Sequence, residues 1–331
     1  MVSYLIQRVV YIFITLIAVS VVSFILIQLP PGDYLDSYIM QLEQSHTEVS
    51  EAEIEALERY YGLDRPVFMQ YFVWVRNIIF HADFGISFEW NRPVLSLVKE
   101  RIWFTIAISY LSLIFIWIVS IPVAIYSATH QYSFFDYAFS FVGYIGLATP
   151  NFLLALTLMF VGFRFFGISV GGLFSPEYIR ASWSLAKVVD LFKHIWIPVV
   201  VLGTAGTAGN IRRLRAIILD ELRRQYVITA RAKGVKERTL IMRYPVRVAI
   251  TPMVSGIGTL ITNIIGGGGV VAVVLSLPTL GPLHLRSILT QDMYLAGSLL
   301  LFSCVLSLIG TLVSDVLLVM VDPRIRYGKI R

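Results

Sequence analysis

The chain carries one cysteine, Cys304, in 331 residues. A lone thiol excludes a disulfide framework and a cysteine-rich metal centre. Charge is scarce as well: Asp, Glu, Lys and Arg make up 15% of residues, against 57% hydrophobic. Soluble domains carry about a quarter charged residues, so too little charge is present to cover a water-facing surface. The same balance excludes disorder, which needs low hydropathy and high charge. Mean hydropathy is +0.75, and the bilayer is the solvent that fits. The five histidines, His46, His81, His130, His194 and His284, are scattered, without the His-Glu-x-x-His spacing of a zinc helix. No metal site is expected. No nucleophile–base signature, internal repeat or low-complexity tract is present either, so the chain is not expected to be an enzyme.

Long apolar runs take the place of these features. A helix needs about 20 apolar residues to cross the hydrocarbon core. Six stretches qualify: 9–29, 102–128, 138–166, 195–211, 248–277 and 295–321. The fourth is interrupted by Gly203, Gly206 and Gly209, small residues that let neighbouring helices approach. The first is too long for the apolar region of a signal peptide, and Gln28 to Asp33 offers no small-x-small cleavage site. A permanent anchor is expected there.

The net charge of +6 is unevenly placed. Arg212, Arg213, Arg215, Arg223, Arg224, Arg231, Lys233, Lys236, Arg238, Arg243 and Arg247 crowd between the fourth and fifth runs. The tail adds Arg324, Arg326, Lys329 and Arg331, and Arg8 precedes the first run. The segment after the first run is acidic, from Asp33 and Asp36 to Glu58. Cytoplasmic loops retain Lys and Arg, which puts both termini and the 212–247 loop inside. An even number of spans agrees. The expected organisation is an N-terminal anchor over 1–29, an external segment over 30–98 and a membrane core over 99–331 with the cytoplasmic loop 212–247. The expected fold is all-α, a polytopic membrane protein with about six spans.

In the external segment, Ile54, Leu57 and Tyr61 fall on one helical face over 51–61, and Pro66 opens a second amphipathic stretch over 67–80. Both suit a solvated cap or a docking surface for an external partner. Within the basic loop, residues 220–232 suit a helix stopped by Gly234. A second helix follows from Val235 and ends or kinks near Pro245. Such a loop serves as a positive-inside retention signal, or as a rigid lever that binds a cytosolic protein. Nucleic acid fits poorly, with no soluble domain or aromatic platform to stack bases; anionic headgroups also attract this charge.

Tyr226 to Gly234, reading YVITARAKG, resembles the signature cytoplasmic loop of ABC-importer permeases of the oligopeptide/dipeptide/nickel subfamily. The resemblance covers nearly the whole chain. It includes PGD at Pro31–Asp33, YGLDRP ending at Pro66, DFGIS at Asp83–Ser87, ATPNF at Ala148–Phe152 and DPRIRY beginning at Asp322. The position that is usually acidic at the start of the signature loop holds Ile228 or Thr229. A Glu and a Phe common upstream of the Pro-Gly-Leu-Gly stretch are Ala272 and Leu275, and that stretch here is PTLG at Pro278–Gly281.

The resemblance implies the type I importer permease fold and a transport function. It implies pairing with a second, similar permease, two cytosolic ATPase subunits that carry ATP and Mg, and an extracytoplasmic solute-binding protein. No cofactor is expected on this chain. Tyr226, Thr229, Ala230, Arg231, Ala232, Lys233 and Gly234 carry over as the ATPase contact. The expected setting is the inner or plasma membrane of a prokaryote. Peptides are the expected substrate, with oligosaccharides as the alternative; an ion-coupled secondary carrier acting alone and a membrane scaffold are the rival classes.

Pro150, Asn151, Asn263, Gly267, Gly268 and Asp315 are the expected candidates for the translocation pathway. The glycine run 266–269 lacks the Lys and Ser/Thr of a phosphate loop, leaving a hinge or close packing. Asp315, a carboxylate within an apolar run, suits a cation site or a structural hydrogen bond. Arg164 is expected to snorkel to the interface. Phe84, Phe88 and Trp90 suit an interfacial aromatic belt or a sugar-stacking surface.

Overall fold

The computed structural model describes residues 2–28, 59, 65–87, 89–167, 171–259, 263 and 268–321. The amphipathic stretch expected over 51–61 lies outside them apart from Arg59, as do Phe88, Gly266, Gly267 and the tail motif at 322–327. In chain order the elements are α1 (Val2–Gln28), α2 (Val67–His81), β1 (Ile86–Ser87), β2 (Arg92–Pro93), α3 (Val94–Thr129), α4 (Phe134–Ala148) and α5 (Asn151–Phe166). There follow α6 (Pro176–Ile179), α7 (Leu185–Leu222), α8 (Gln225–Ala232), α9 (Glu237–Arg243), α10 (Pro245–Ser255), α11 (Gly269–Val274), α12 (Leu280–Leu289) and α13 (Met293–Val321).

Three of these helices are long and apolar enough to cross a membrane, within Ile6–Gln28, Val94–Thr129 and Met293–Met320; a fourth span is counted if α4 and α5 act as one. The all-α expectation holds, but the six apolar runs are not six continuous helices. The third is bent by 105° between α4 and α5. Pro150 cannot continue the hydrogen-bond ladder, and it forces Thr149 into the extended region (φ −82°, ψ 122°). The fifth is divided between α10 and α11. The fourth is longer than expected: α7 continues to Leu222 and carries Arg212, Arg213 and Arg215 as helix rather than loop. Its glycines do not break it. A Cβ on Gly203 would stand 2.5 Å from the Phe115 ring, and one on Gly206 would stand 2.8 Å from Ile116, so these glycines admit α3.

Packing divides the chain into two compact units, one of residues 1–103 and 279–306, the other of 104–278 and 307–331. In the first, α2 lies on the C-terminal half of α1 through Phe24, Tyr71 and Trp74. Their ring centroids lie 5.5 Å (Phe24–Tyr71) and 5.8 Å (Phe24–Trp74) apart. Gln28 donates to Gln70 at 2.7 Å. A second cluster joins Val94, Leu97, Leu280, Leu283, Leu295 and Leu299. Asp292, fully buried, ties this unit together. It accepts from Ser87 Oγ at 2.5 Å, from the Glu89 amide at 3.3 Å and from the Leu295 amide at 3.2 Å at the start of α13. Asp292→Asn keeps the size but exchanges a charged acceptor for a neutral amide. It is expected to cost about 1–2 kcal/mol, read as a lower melting temperature of the solubilised protein.

In the second unit one core gathers Ile108, Ala155, Ile197, Val201, Val271 and Leu275. Another joins Ala124, Leu214, Ile218, Val246 and Met253. Beside the latter, Arg215 grips Asp136 with two bonds of 3.1 and 2.8 Å. The same carboxylate accepts the Tyr132 amide at 3.0 Å and closes the turn between α3 and α4.

Candidate functional site

The basic loop folds into a small structure of its own. Arg223 and Arg224 separate α7 from α8, so the helix expected over 220–232 is two helices meeting at a break. Residue Gly234 ends α8 with φ +81°, a left-handed turn that suits glycine. The Gly234 amide reaches Arg231 O at 3.0 Å, and the Val235 amide reaches Ala230 O at 3.3 Å. This reversal returns the chain so that α9 packs on α8. Pro245 opens α10, and α9 stops before it.

The core between the two short helices is Val227 and Leu240, both fully buried, with Ala230 beside them and Leu222, Val235, Ile241 and Tyr244 around the edge. The seven loop residues singled out by the sequence therefore separate by facing. Ala230 packs inward. Tyr226, Thr229, Arg231, Ala232, Lys233 and Gly234 are exposed. Tyr226 OH donates to Glu221, and its ring lies 5.9 Å from that of Tyr244. Arg231 donates to Glu237 at 2.6 and 3.1 Å. The Arg231 hydrogen bonds hold the Glu237 carboxyl below the usual carboxylate range, and Glu237 in turn raises Arg231. Both side chains are about half exposed, so water and salt screen the pair.

A cleft of about 490 Å³ opens in the second unit. Its polar lining comprises Asn151 at the start of α5, Asn210 and Arg213 on α7, and Thr259 and Asn263 beyond α10. Ile116 and Trp117 of α3 supply an apolar wall, and Gly206, Gly209, Gly256 and Gly268 bring backbone to the surface. Three of the six pathway candidates, Asn151, Asn263 and Gly268, thus meet on one cleft. Pro150 is the cap residue next to Asn151. Asp315 is buried on α13 and is not part of the lining. Gly267 lies outside the described residues. Gly268 precedes α11, so of the expected hinge at 266–269 only its end is seen. Asn210 and Arg213 are lining residues that sequence reasoning missed. Within the basic run, nothing in the sequence distinguishes Arg213 from its neighbours.

A second cavity lies between the end of α5 and the start of α7, lined by Ser175, Glu177, Asp190, Lys193 and His194 among others. Its buried carboxylate is already served: Asp190 accepts the Ser175 amide at 2.8 Å and Ser175 Oγ at 2.7 Å. Among the described residues no three His, Cys, Asp or Glu side chains converge as a metal site would require.

Comparison with known proteins gives two family matches. Residues 120–327 match the family described as binding-protein-dependent transport system inner membrane component, and residues 1–109 match the N-terminal region of such components. The oligopeptide transport system permease protein AppB of Bacillus subtilis is 33% identical over 329 residues, covering 99% of this chain and 100% of the relative. The glutathione transport system permease protein GsiC of Escherichia coli O1:K1 is 30% identical, covering 99% and 100%. The dipeptide transport system permease protein DppB of Lactococcus lactis is 26% identical, covering 98% and 100%.

Proposed function

The chain belongs to the family of binding-protein-dependent transport system inner membrane components, and from that membership we propose that peptides are what it passes across the membrane. It is a multi-pass permease subunit of the inner membrane and not itself an enzyme. The proposed work is divided. An external solute-binding protein delivers the peptide, this chain and a second similar permease enclose the path, and two cytosolic ATPase subunits bind ATP and Mg. The exposed face of α8 is the proposed ATPase contact, with Tyr226, Thr229, Arg231, Ala232 and Lys233 outermost. Ala230 and Gly234 serve it indirectly: Ala230 seats the helix, and Gly234 turns the chain away.

The observation that supports this most is the form of the loop. A basic, solvated loop held only by positive-inside retention needs no core. This one has a capped helix seated on its own buried Val227 and Leu240, which makes it stiff enough to carry a push. Binding energy spent on α8 then shifts the spans between conformations that differ in affinity for the ATPase.

The test is ATP-driven peptide uptake in proteoliposomes holding the permease pair, the ATPase subunits and the binding protein. Lys233→Glu is expected to lower uptake about tenfold, since a like charge set into a complementary contact costs more than an exposed pair contributes. Arg231→Ala is expected to lower it only about twofold, because the pair it breaks is exposed. Uptake by this chain without any ATPase subunit would overturn the proposal in favour of an ion-coupled carrier.

A further inference from the structure

Three arginines sit close together on the charged end of α7, and the structure gives each a different surrounding. Arg212 lies over the Tyr144 ring, 5.8 Å from its centroid. Arg215 is bound bidentately to Asp136. Arg213 faces the cleft and has no ion pair, hydrogen bond or ring contact with any described residue. The polar groups that share its cleft are Asn151, Asn210, Asn263 and Thr259, and among the described residues no acidic side chain is in the lining. Asn210, one helical turn before Arg213, donates Nδ2 to Gly206 O at 3.0 Å.

A guanidinium in a cleft lined by amides, with an apolar wall behind it, sets a positive potential there and offers paired donors that match a carboxylate. We infer that Arg213 is an anion station: the passing solute bears a carboxylate, and Arg213 receives it near the cytoplasmic mouth of the cleft. For a peptide that group is its free C-terminus. The station rests on the cleft being the path proposed above, and it deepens that proposal by naming the group which the path reads. An exposed cation fits the task, because its neighbours leave its donors open to the solute. A fully paired arginine, such as Arg215, would first have to leave its carboxylate.

The test uses the complete transporter with Cys304→Ser and Asn210→Cys, so that one thiol of this chain lines the cleft. Its modification by an anionic sulfonatoethyl and a cationic trimethylammonioethyl methanethiosulfonate is followed by mass spectrometry of the chain. Residues three apart on a helix are neighbours. Charges about 5–6 Å apart in a water-like dielectric change each reagent's rate roughly threefold, in opposite directions. Arg213→Gln is therefore expected to lower the anion-to-cation rate ratio about tenfold, and Arg213→Lys is expected to keep it. An unchanged ratio, or no modification at all, overturns the station.

A second arm, with Asn210 intact, compares uptake of a tripeptide with its C-terminally amidated form. Arg213→Gln is expected to slow the carboxylate form several-fold and to leave the amide nearly unchanged. Equal slowing of both forms overturns the proposal. If the wild-type complex moves neither peptide while the reagent ratio still falls, the anion-attracting cleft stands, and it is the peptide substrate that fails.

Discussion

Val227→Asp is expected to reduce ATP-driven uptake to background while leaving the chain in the membrane. Val227 and Leu240 are the two fully buried side chains of the loop's small core. Fully burying a side chain of this size contributes about 1.5–3 kcal/mol, so the pair supplies roughly 3–6 kcal/mol. An aspartate at this position loses the valine's share and adds a buried carboxylate with no cation in that core. Leaving a charge buried and unpaired costs about 3–5 kcal/mol. The sum exceeds what holds α8 on α9, so α8 separates and can no longer transmit a push. The spans rest mainly on other clusters, one of which shares Leu222 and Ile241 with this core. Val227→Ala should retain part of the uptake, since it removes methyl groups without adding charge. Wild-type uptake by Val227→Asp would show that the seat of α8 is not what carries coupling.

Gly258→Ala is expected to reduce the yield of folded protein to about a fifth or less, and no change at its neighbour should restore it. The added Cβ would stand 2.4 Å from Thr311 Oγ1, 2.8 Å from the Thr311 backbone N and 2.9 Å from its Cα. Overpacking in a tight core costs about 1–3 kcal/mol, and more where the neighbour cannot move. A backbone on α13 cannot rotate aside as a side chain can. Thr311→Ala removes only Oγ1 and leaves the other two overlaps in place. Gly203→Ala provides the contrast. Its Cβ meets ring atoms of Phe115 at 2.5, 3.0 and 3.5 Å, so Phe115→Leu should rescue it. Fluorescence-detected size exclusion of the four variants, in single and paired form, separates these outcomes. Recovery of Gly258→Ala by Thr311→Ala would refute the backbone contact.

Much of the membrane architecture was legible in the sequence. The apolar runs at 9–29, 102–128 and 295–321 became α1, α3 and α13, although α1 starts at Val2 and α3 at Val94, well before the runs do. The loop's stop at Gly234 and break near Pro245 were also legible, because a left-handed turn and a missing N–H act within a few residues. The bend between α4 and α5 was not. Hydropathy sums over the whole run, and Pro150 is one residue in a mostly apolar run of 29, residues 138–166. Whether proline kinks a helix or starts a new one depends on the helices that receive its two halves. The glycines of the fourth run behave as small residues in a span are expected to: the helix continues through them and a neighbour packs close. Glycine weakens an isolated helix, yet here Phe115 fills the space at Gly203 and Ile116 the space at Gly206.

The sequence by itself determined how charge of each sign is distributed along the chain, how many apolar runs there are, and that α8 is stopped at Gly234. These follow from charge asymmetry and local backbone chemistry, which need no partner. Tertiary structure alone decided what each residue of a run does. Successive helical residues point about 100° apart, so Arg212, Arg213 and Arg215 diverge to a ring, a cleft and a carboxylate. Thr229, Ala230 and Arg231 likewise part between solvent and core. Sequence distance is blind to that divergence, because it depends on which neighbour each face meets.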